Sequence, residues 1–278
     1  MGSIFEITDR KAKPFLRWAG GKKWFAKHLP QFIPRKFNNF HEIFLGSAST
    51  YFNIPDHFYS QAYLSDINDD LINTFTQVKE KSPDVIKILK GFKNEEDYYY
   101  KIRNLHEHSD PIFRAARFIY LNKTSYNGIY RVNSTGKFNV PYGYRRNVDF
   151  IDEKNLFAVS SKLKNAHLSV SDFDNALDSV KKDDFVFIDP PYTVAHENNG
   201  FIEYNKNLFS LDDQIRLSKA IERLVSKGAF YLLTNAKHSK ILEIYSNLDK
   251  PKILKRHSNI GGNGAKREVI NEYIFTNV

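Results

Sequence analysis

Phe185–Tyr192 reads FVFIDPPY, four apolar residues followed by an acid, two prolines and a tyrosine. A short, unbroken apolar run bounded by turn residues predicts a strand buried on both faces, as in a parallel sheet covered by helices. Working outward, Phe40–Leu45, Ala62–Ser65, Ala166–Val170 and Ala229–Thr234 read as further strands. Helical segments are expected between them. One starts near Ala48, one is capped by Asn68 and runs to about Val78, and one starts at the Ser210/Asp213 capping-box pattern. In the last of these, Leu211, Ile215, Ile221, Leu224 and Val225 fall near a helical period, with Gly228 as the stop. Val269–Phe275 alternates and predicts an antiparallel edge strand. Strands alternating with helices specify an α/β fold with a largely parallel, Rossmann-like sheet.

The end of the 185–189 strand carries the sharpest chemistry. Ligands in such sheets bind beyond the carboxyl ends of the strands. Pro190 and Pro191 fix φ and remove two backbone donors, which leaves carbonyl oxygens outward. The Asp189 carboxylate beside the Pro190 carbonyl offers two acceptors, the complement of an exocyclic amino group with its two N–H bonds. Tyr192 adds a flat face for a base. The same four residues also fit a strand ended by a Pro-Pro turn with a tyrosine packed beside it.

The bulk numbers bound the class. At 278 residues, either one large domain or a core with an inserted module is open. The 15% aromatic content argues against disorder, and the net charge of +9 is compatible with a polyanionic partner. The absence of cysteine excludes disulfide frameworks and thiolate metal sites. No run approaches the roughly 18 apolar residues of a membrane span. Met1–Arg10 has no apolar core and is not expected to be a secretory signal, so a cytoplasmic protein is expected.

The middle of the chain differs. Asp110-Pro111 predicts a helix start, with the helix running to about Asn122. From Pro111 to Val148 there are Arg114, Arg117, Lys123, Arg131, Lys137, Arg145 and Arg146 but no acid, with Gly136 central to a hairpin or ordered loop. Residues 76–155 are therefore expected to form an inserted, mostly helical module with a basic loop. Residues 1–75 and 156–278 would form the other domain.

Two turns complete the pattern. Phe44-Leu45-Gly46-Ser47-Ala48 is a strand-to-helix turn of small residues, where Gly46 would let backbone approach a nucleoside. Asp66 ends the next strand about 20 residues on and could accept from ribose hydroxyls, or simply sit at a helix N-terminus near Asn68. In Pro14–Lys23 the Gly20-Gly21-Lys22 string lacks full phosphate-loop spacing, so a triphosphate is disfavoured. Trp18 and Lys22 could instead hold an adenine ring and an anion, or form a plain glycine turn with solvated lysines.

Taken in order, KPFLRWAGGK at Lys13–Lys22, Asp66-Ile67-Asn68, Tyr126-Asn127-Gly128, Gly136–Pro141 and Asp189–Tyr192 resemble the Dam-type DNA adenine-N6 methyltransferases from about residue 12 onward. The resemblance implies a domain using S-adenosyl-L-methionine and no metal, acting on double-stranded DNA. It implies a cofactor site of Trp18, Ala19, Gly20, Gly21, Lys22, Phe44, Leu45, Gly46, Ser47, Ala48, Asp66, Ile67, Asp172, Phe173 and Asp189. Asp189, Pro190, Pro191 and Tyr192 would hold a target adenine rotated out of the duplex. Lys22, Asn122, Tyr126, Asn127, Gly128, Ile129, Arg131, Asn139, Pro141, Arg145 and Arg146 would meet DNA, with Arg131 suited to guanine. A GATC-like site follows from the resemblance, as does a restriction endonuclease acting separately as a possible partner.

This sequence departs from the family pattern at three places. Ala48 replaces the second glycine of the cofactor turn, Ile43 replaces a proline, and Tyr144 stands where an arginine is usual, with Arg145 and Arg146 following. The alternatives are a cytosine-N4 or RNA amino-methyltransferase, a non-catalytic DNA-binding relative, and a nuclease fusion, for which the chain has too little room. His106-Glu107-His108 is read as a solvated patch. Gly261–Gly264, flanked by Arg256, Lys266 and Arg267, is either a turn or a phosphate-contacting loop.

Overall fold

The computed structural model describes residues 11–106, 108–145, 148–193, 209–257 and 269–278. The strands are β1 (Phe40–Glu42), β2 (Ala62–Asp66), β3 (Ala166–Val170), β4 (Phe185–Ile188), β5 (Phe230–Ala236), β6 (Lys252–His257) and β7 (Val269–Thr276). The described helices are α1 (Asp69–Lys90), α2 (Glu96–Asn104), α3 (Pro111–Thr124), α4 (Glu153–Leu163), α5 (Phe173–Asp178), α6 (Leu211–Ser226) and α7 (Ser239–Ile244). The sheet order is β3-β2-β1-β4-β5-β7-β6. This is the Rossmann-like α/β arrangement that the alternating pattern predicts.

The chain divides into two compact units. One comprises Lys23–Phe44, Pro55–Ser65 and Ser171–Val278. Here β1 pairs in parallel with β2 and β4, and β4 pairs in parallel with β5. Strand order therefore reverses at β1/β4, which makes the carboxyl ends of those two strands the place where a ligand is expected. All four residues of β4 are buried, as the apolar run requires. The strand stops at Ile188, because neither proline that follows Asp189 can donate to a ladder. Val186, Ile188, Leu233 and Phe275 join Leu217, Ile221 and Leu224 of α6 in one apolar cluster. Each such side chain contributes about 1.5–3 kcal/mol of burial.

The other unit comprises Met1–Lys22, Leu45–Ile54 and Asp66–Val170. It is mostly helical, with α1 packed along α3. Arg114 of α3 reaches Asp69 at 2.5 Å and Asp70 at 2.6 Å on the first turn of α1. Asn68 caps α1 by accepting from the Leu71 N–H at 3.0 Å, and Asp110 caps α3 by accepting from the Ile112 N–H at 2.9 Å.

Several expectations need correction. The segment after Ala48 is not an α-helix but a single 3-10 turn, Tyr51–Asn53. Ala48 has φ 55° and Pro55 lacks an N–H, so helical hydrogen bonding is confined to the short stretch between them. Helix α1 continues past Val78 to Lys90, because Lys81 leaves helical geometry and Pro83 sits in the opening turn of a second segment. β1 ends at Glu42 rather than Leu45. β7 is antiparallel as expected, but it is not an edge, since β6 covers it. On α6, Ile215 and Val225 are exposed, and the buried stripe runs through Leu217, Ala220, Ile221 and Leu224. The Ser210/Asp213 capping box is present, and Gly228 ends the helix at φ 79°.

Candidate active site

The Asp189–Tyr192 segment leaves the carboxyl end of buried β4, and two neighbouring strands fix its side chains. Thr234 of β5 donates its hydroxyl to Asp189 Oδ1 at 2.7 Å. The Tyr192 hydroxyl donates to Glu272 Oε2 of β7, also at 2.7 Å. Pro190 is buried, whereas Asp189, Pro191 and Tyr192 are half-buried. Behind the segment lies a closed polar network. Thr193 donates to the Phe209 carbonyl at 3.0 Å and accepts from Gln214 Nε2 at 3.1 Å. Gln214 Oε1 in turn accepts from Asn235 at 3.0 Å and from the Tyr245 hydroxyl at 2.6 Å. Buried polar groups with every partner in place rigidify their surroundings. Thr234, Glu272, Gln214 and Asn235 were not expected from sequence. The available signal was polar residues closing an apolar strand at Thr234-Asn235, and a lone acid in the alternating strand at Glu272.

In the same unit, Phe44, Asp172 and Phe173 were expected at the cofactor. Asp172 caps α5 by accepting from the Asp174 N–H at 2.9 Å, and it pairs with Arg216 at 2.8 Å. Phe173 is buried against Phe44 and Phe209, with the Arg216 guanidinium 4.2 Å from its ring centroid. The Phe173 ring thus belongs to an aromatic cluster in this structure. Phe44 is only partly buried.

The cofactor turn lies in the other unit. Asp66 accepts from the Gly46 N–H at 3.0 Å through Oδ2 and from the Asn68 N–H at 3.1 Å through Oδ1. Burial raises its pKa above the ordinary carboxylate value, and the N–H donors of Gly46, Asn68 and Ile67 oppose that rise. Gly46 has φ 46°, and a Cβ there would come 2.7 Å from Trp18 Cδ1, so only glycine leaves this cradle open. The Trp18 ring stacks on Tyr130 at 5.3 Å. Gly20 (φ 78°) and Gly21 turn the chain, with the Gly21 N–H donating to the Trp18 carbonyl at 3.2 Å, while Ala19 is exposed. The Lys22 ammonium is buried and donates to the Gly20 carbonyl at 3.3 Å, so Lys22 is not a solvated lysine. Leu45, Ser47 and Ala48 are buried, and Ile67 is 71% exposed beside Asp66. A carboxylate fixed by two main-chain N–H groups, next to a glycine cradle and an exposed apolar side chain, suits the ribose and base of a nucleoside.

The basic loop of this unit is a hairpin. Val132 bridges Phe138, and Ser125 bridges Tyr142. Asn133 Oδ1 closes the tip by accepting from the Thr135 and Lys137 N–H groups at 3.1 and 2.9 Å. Arg131 is exposed, and its Nε donates to Asn139 Oδ1 at 2.8 Å, which orients the guanidinium. Tyr126, Asn127 and Pro141 are exposed, and Ile129 is half-buried. Asn127 (φ 55°) and Gly128 (φ 66°) form a left-handed turn, where a Cβ on Gly128 would strike Arg17 Cδ at 2.3 Å.

Two residues expected at DNA have main-chain partners in this structure. Asn122 is 1% exposed; its amide accepts from the Arg17 N–H at 2.7 Å and donates to the Arg17 carbonyl at 2.8 Å. It holds the Arg17 main chain. Arg145 Nη2 donates to the Lys123 carbonyl at 2.6 Å, which satisfies an acceptor at the end of α3. Tyr144 (φ 51°) is exposed, and its hydroxyl donates to Glu96. Of the histidine pair, His108 is exposed, as a solvated patch requires, and His106 is half-buried. α2 ends at Asn104, His108 stacks on Phe113, and His106 lines a 270 Å³ cavity with Arg117, Lys137 and Phe138. Arg146, Glu107 and Gly261–Gly264 lie outside the described residues.

Among the described residues, no group of three or more His, Asp or Glu side chains is arranged to hold a metal, and no helix is long and apolar enough to cross a membrane. The family model for the D12 class of N6 adenine-specific DNA methyltransferases matches residues 18–259. The chain is 33% identical to the type II methyltransferase M1.LlaDCHI of Lactococcus lactis subsp. cremoris, with 99% of each chain covered. It is 34% identical to the type II methyltransferase M.MjaIII of Methanocaldococcus jannaschii, over 92% of this chain and 96% of that one. It is 30% identical to the DNA adenine methylase of Escherichia coli K12, over 95% of each. The chain belongs to the D12 class of N6 adenine-specific DNA methyltransferases and is an S-adenosylmethionine-dependent enzyme that methylates adenine in DNA.

Proposed function

We propose that the chain methylates adenine N6 at a GATC-like site in duplex DNA after rotating the base out of the helix. The observation that carries the chemistry is Asp189 at the end of buried β4, its carboxylate oriented by Thr234 and followed by two prolines. S-adenosylmethionine supplies a methyl group activated by its sulfonium. Asp189 and the Pro190 carbonyl accept the two amino N–H bonds, which favours a pyramidal nitrogen with an available lone pair. As the new N–C bond forms, the methyl's bond to sulfur would break with its electron pair left on a neutral sulfur, and the nitrogen would lose a proton to Asp189 or to water. The protein contributes position and electrostatics more than acid–base strength. Tyr192 supplies the stacking face that offsets the few kcal/mol of unstacking.

For the cofactor, Asp66 would accept from the ribose hydroxyls, with Gly46 and Ile67 at the nucleoside. For DNA, residues 76–155 form the recognition module, in which Arg131, oriented by Asn139, reads guanine, and Tyr126, Asn127, Ile129 and Pro141 meet the bases. Resemblance to Dam-type enzymes supports the GATC-like site. The type II names of two relatives support a modification role beside a separate endonuclease.

The test is Asp189→Ala with labelled methyl donor and unmethylated duplex DNA, followed by nucleoside analysis. The wild-type enzyme is expected to yield N6-methyladenine within a GATC-like sequence. The variant should lose at least about a thousandfold in turnover while retaining its fold and most of its DNA affinity. Near-normal turnover in the variant would remove the core of the mechanism, and N4-methylcytosine as product would replace the target.

A further inference from the structure

Glu272 takes no part in the chemistry described above, yet it is fully buried on β7, opposite Ala236 of β5 and Leu254 of β6. A carboxylate in the middle of a sheet loses hydration and persists where its position is used. Its Oε2 accepts the Tyr192 hydroxyl at 2.7 Å, the usual O–H···O length. The tyrosine is therefore held at both ends. Its main chain is set by Pro190-Pro191 on one side and by Thr193, bonded to Phe209 and Gln214, on the other. The far end of its ring is set by Glu272.

A stacking platform is effective in proportion to how well its plane is fixed before the base arrives, since a ring free to rotate must be ordered at the moment of reaction. We propose that Glu272 is a positioning residue for methyl transfer, fixing the plane of Tyr192 against which the target adenine stacks. This rests on the reading of Tyr192 as the base platform. In this role Glu272 acts through the tyrosine. Its removal should slow the transfer step and leave the KM for S-adenosylmethionine unchanged.

The experiment is a double-mutant cycle on the full chain, reading the single-turnover rate of labelled methyl transfer into unmethylated duplex DNA. Tyr192→Phe and Glu272→Leu should each slow the step about tenfold, and the double variant should be no slower than either single, because both remove the same hydrogen bond. Glu272→Gln keeps an acceptor oxygen and should recover most of the rate. A double variant about a hundredfold down would show that Glu272 acts elsewhere, and a Tyr192→Phe enzyme at wild-type rate would overturn the proposal outright. If Glu272→Leu does not fold, that second arm still decides. Tyr192→Ala separates the two readings. Loss with Ala but not with Phe removes the Glu272 anchor and keeps the platform, whereas no loss with Ala removes the platform itself.

Discussion

Asp66 is pulled in two directions, since burial favours its neutral acid and the N–H groups of Gly46, Asn68 and Ile67 favour its carboxylate. Burial prevails, and the pKa lies above the ordinary value. An acid raised on folding adds stability below its unfolded pKa and loses it as pH rises through the folded one. Ribose hydroxyls need the opposite form, because only a carboxylate can accept from both. Affinity for S-adenosylmethionine should therefore climb as pH rises toward the raised pKa, then level off above it. Calorimetric titrations at a series of pH values would measure this. Asp66→Asn should flatten the profile and weaken binding roughly tenfold, about 1.4 kcal/mol. A flat wild-type profile would take Asp66 out of the ribose site. Nearby, Ala48 shows what the departure from the family's glycine means. Its φ of 55° is the left-handed geometry a glycine would adopt freely, held here by the Ala48 N–H donating to the Leu45 carbonyl at 2.7 Å. The turn keeps its shape at about 1–2 kcal/mol of backbone strain.

At the level of elements, β1 and β4 are joined at their starts by one buried acid. Asp184 accepts from the Asn39 N–H at 3.1 Å, Asn39 Nδ2 at 2.9 Å and the Lys181 N–H at 3.0 Å, and it pairs with His41 Nε2 at 3.0 Å. Desolvation raises its pKa, but these partners outweigh it and hold the pKa below the ordinary value. The stabilisation is thus full above the ordinary Asp pKa and lost as pH falls through the depressed one. Asp184→Asn would set an NH2 group against the surrounding donors, and a cost of about 2–4 kcal/mol is expected in denaturant unfolding at neutral pH. A loss under about 0.5 kcal/mol would show that the cluster does not secure the β1–β4 start. Elements with strong local signals were legible in the sequence: β3 lies at Ala166–Val170 as expected, and the capping box opens α6. β6 was not. Its KILKRH is basic and nearly free of alternation, as suits an exposed edge, and only pairing with β7 makes it a strand.

For the whole molecule, the legible part of the site was what one segment carries. Asp189, Tyr192, Asp66 and Gly46 could be put forward as candidates because each lies at or just past a strand end. Thr234 and Glu272 could not, since they lie 45 and 80 residues from the groups they hold. Asn122 and Arg145 show the converse: residue type suggested DNA, and long-range packing also gives their polar atoms main-chain partners. What sequence does specify at this scale is charge. With +9 overall and no acid from Pro111 to Val148, binding to duplex DNA should release counterions. The logarithm of the affinity should fall linearly with the logarithm of salt concentration, by about 0.9 per phosphate engaged. Lys137, exposed at the hairpin tip, and Arg131 on its strand then separate two kinds of contact. Lys137→Ala should weaken binding to every duplex alike and reduce the slope by about 1. Arg131→Ala should instead relax discrimination at one base pair, costing about 1–3 kcal/mol against the preferred site and little against others. Fluorescence anisotropy over a salt series, with cognate and scrambled duplexes, measures both. If Lys137→Ala leaves the slope unchanged and Arg131→Ala weakens all duplexes equally, the hairpin does not read sequence, and the recognition module must lie elsewhere.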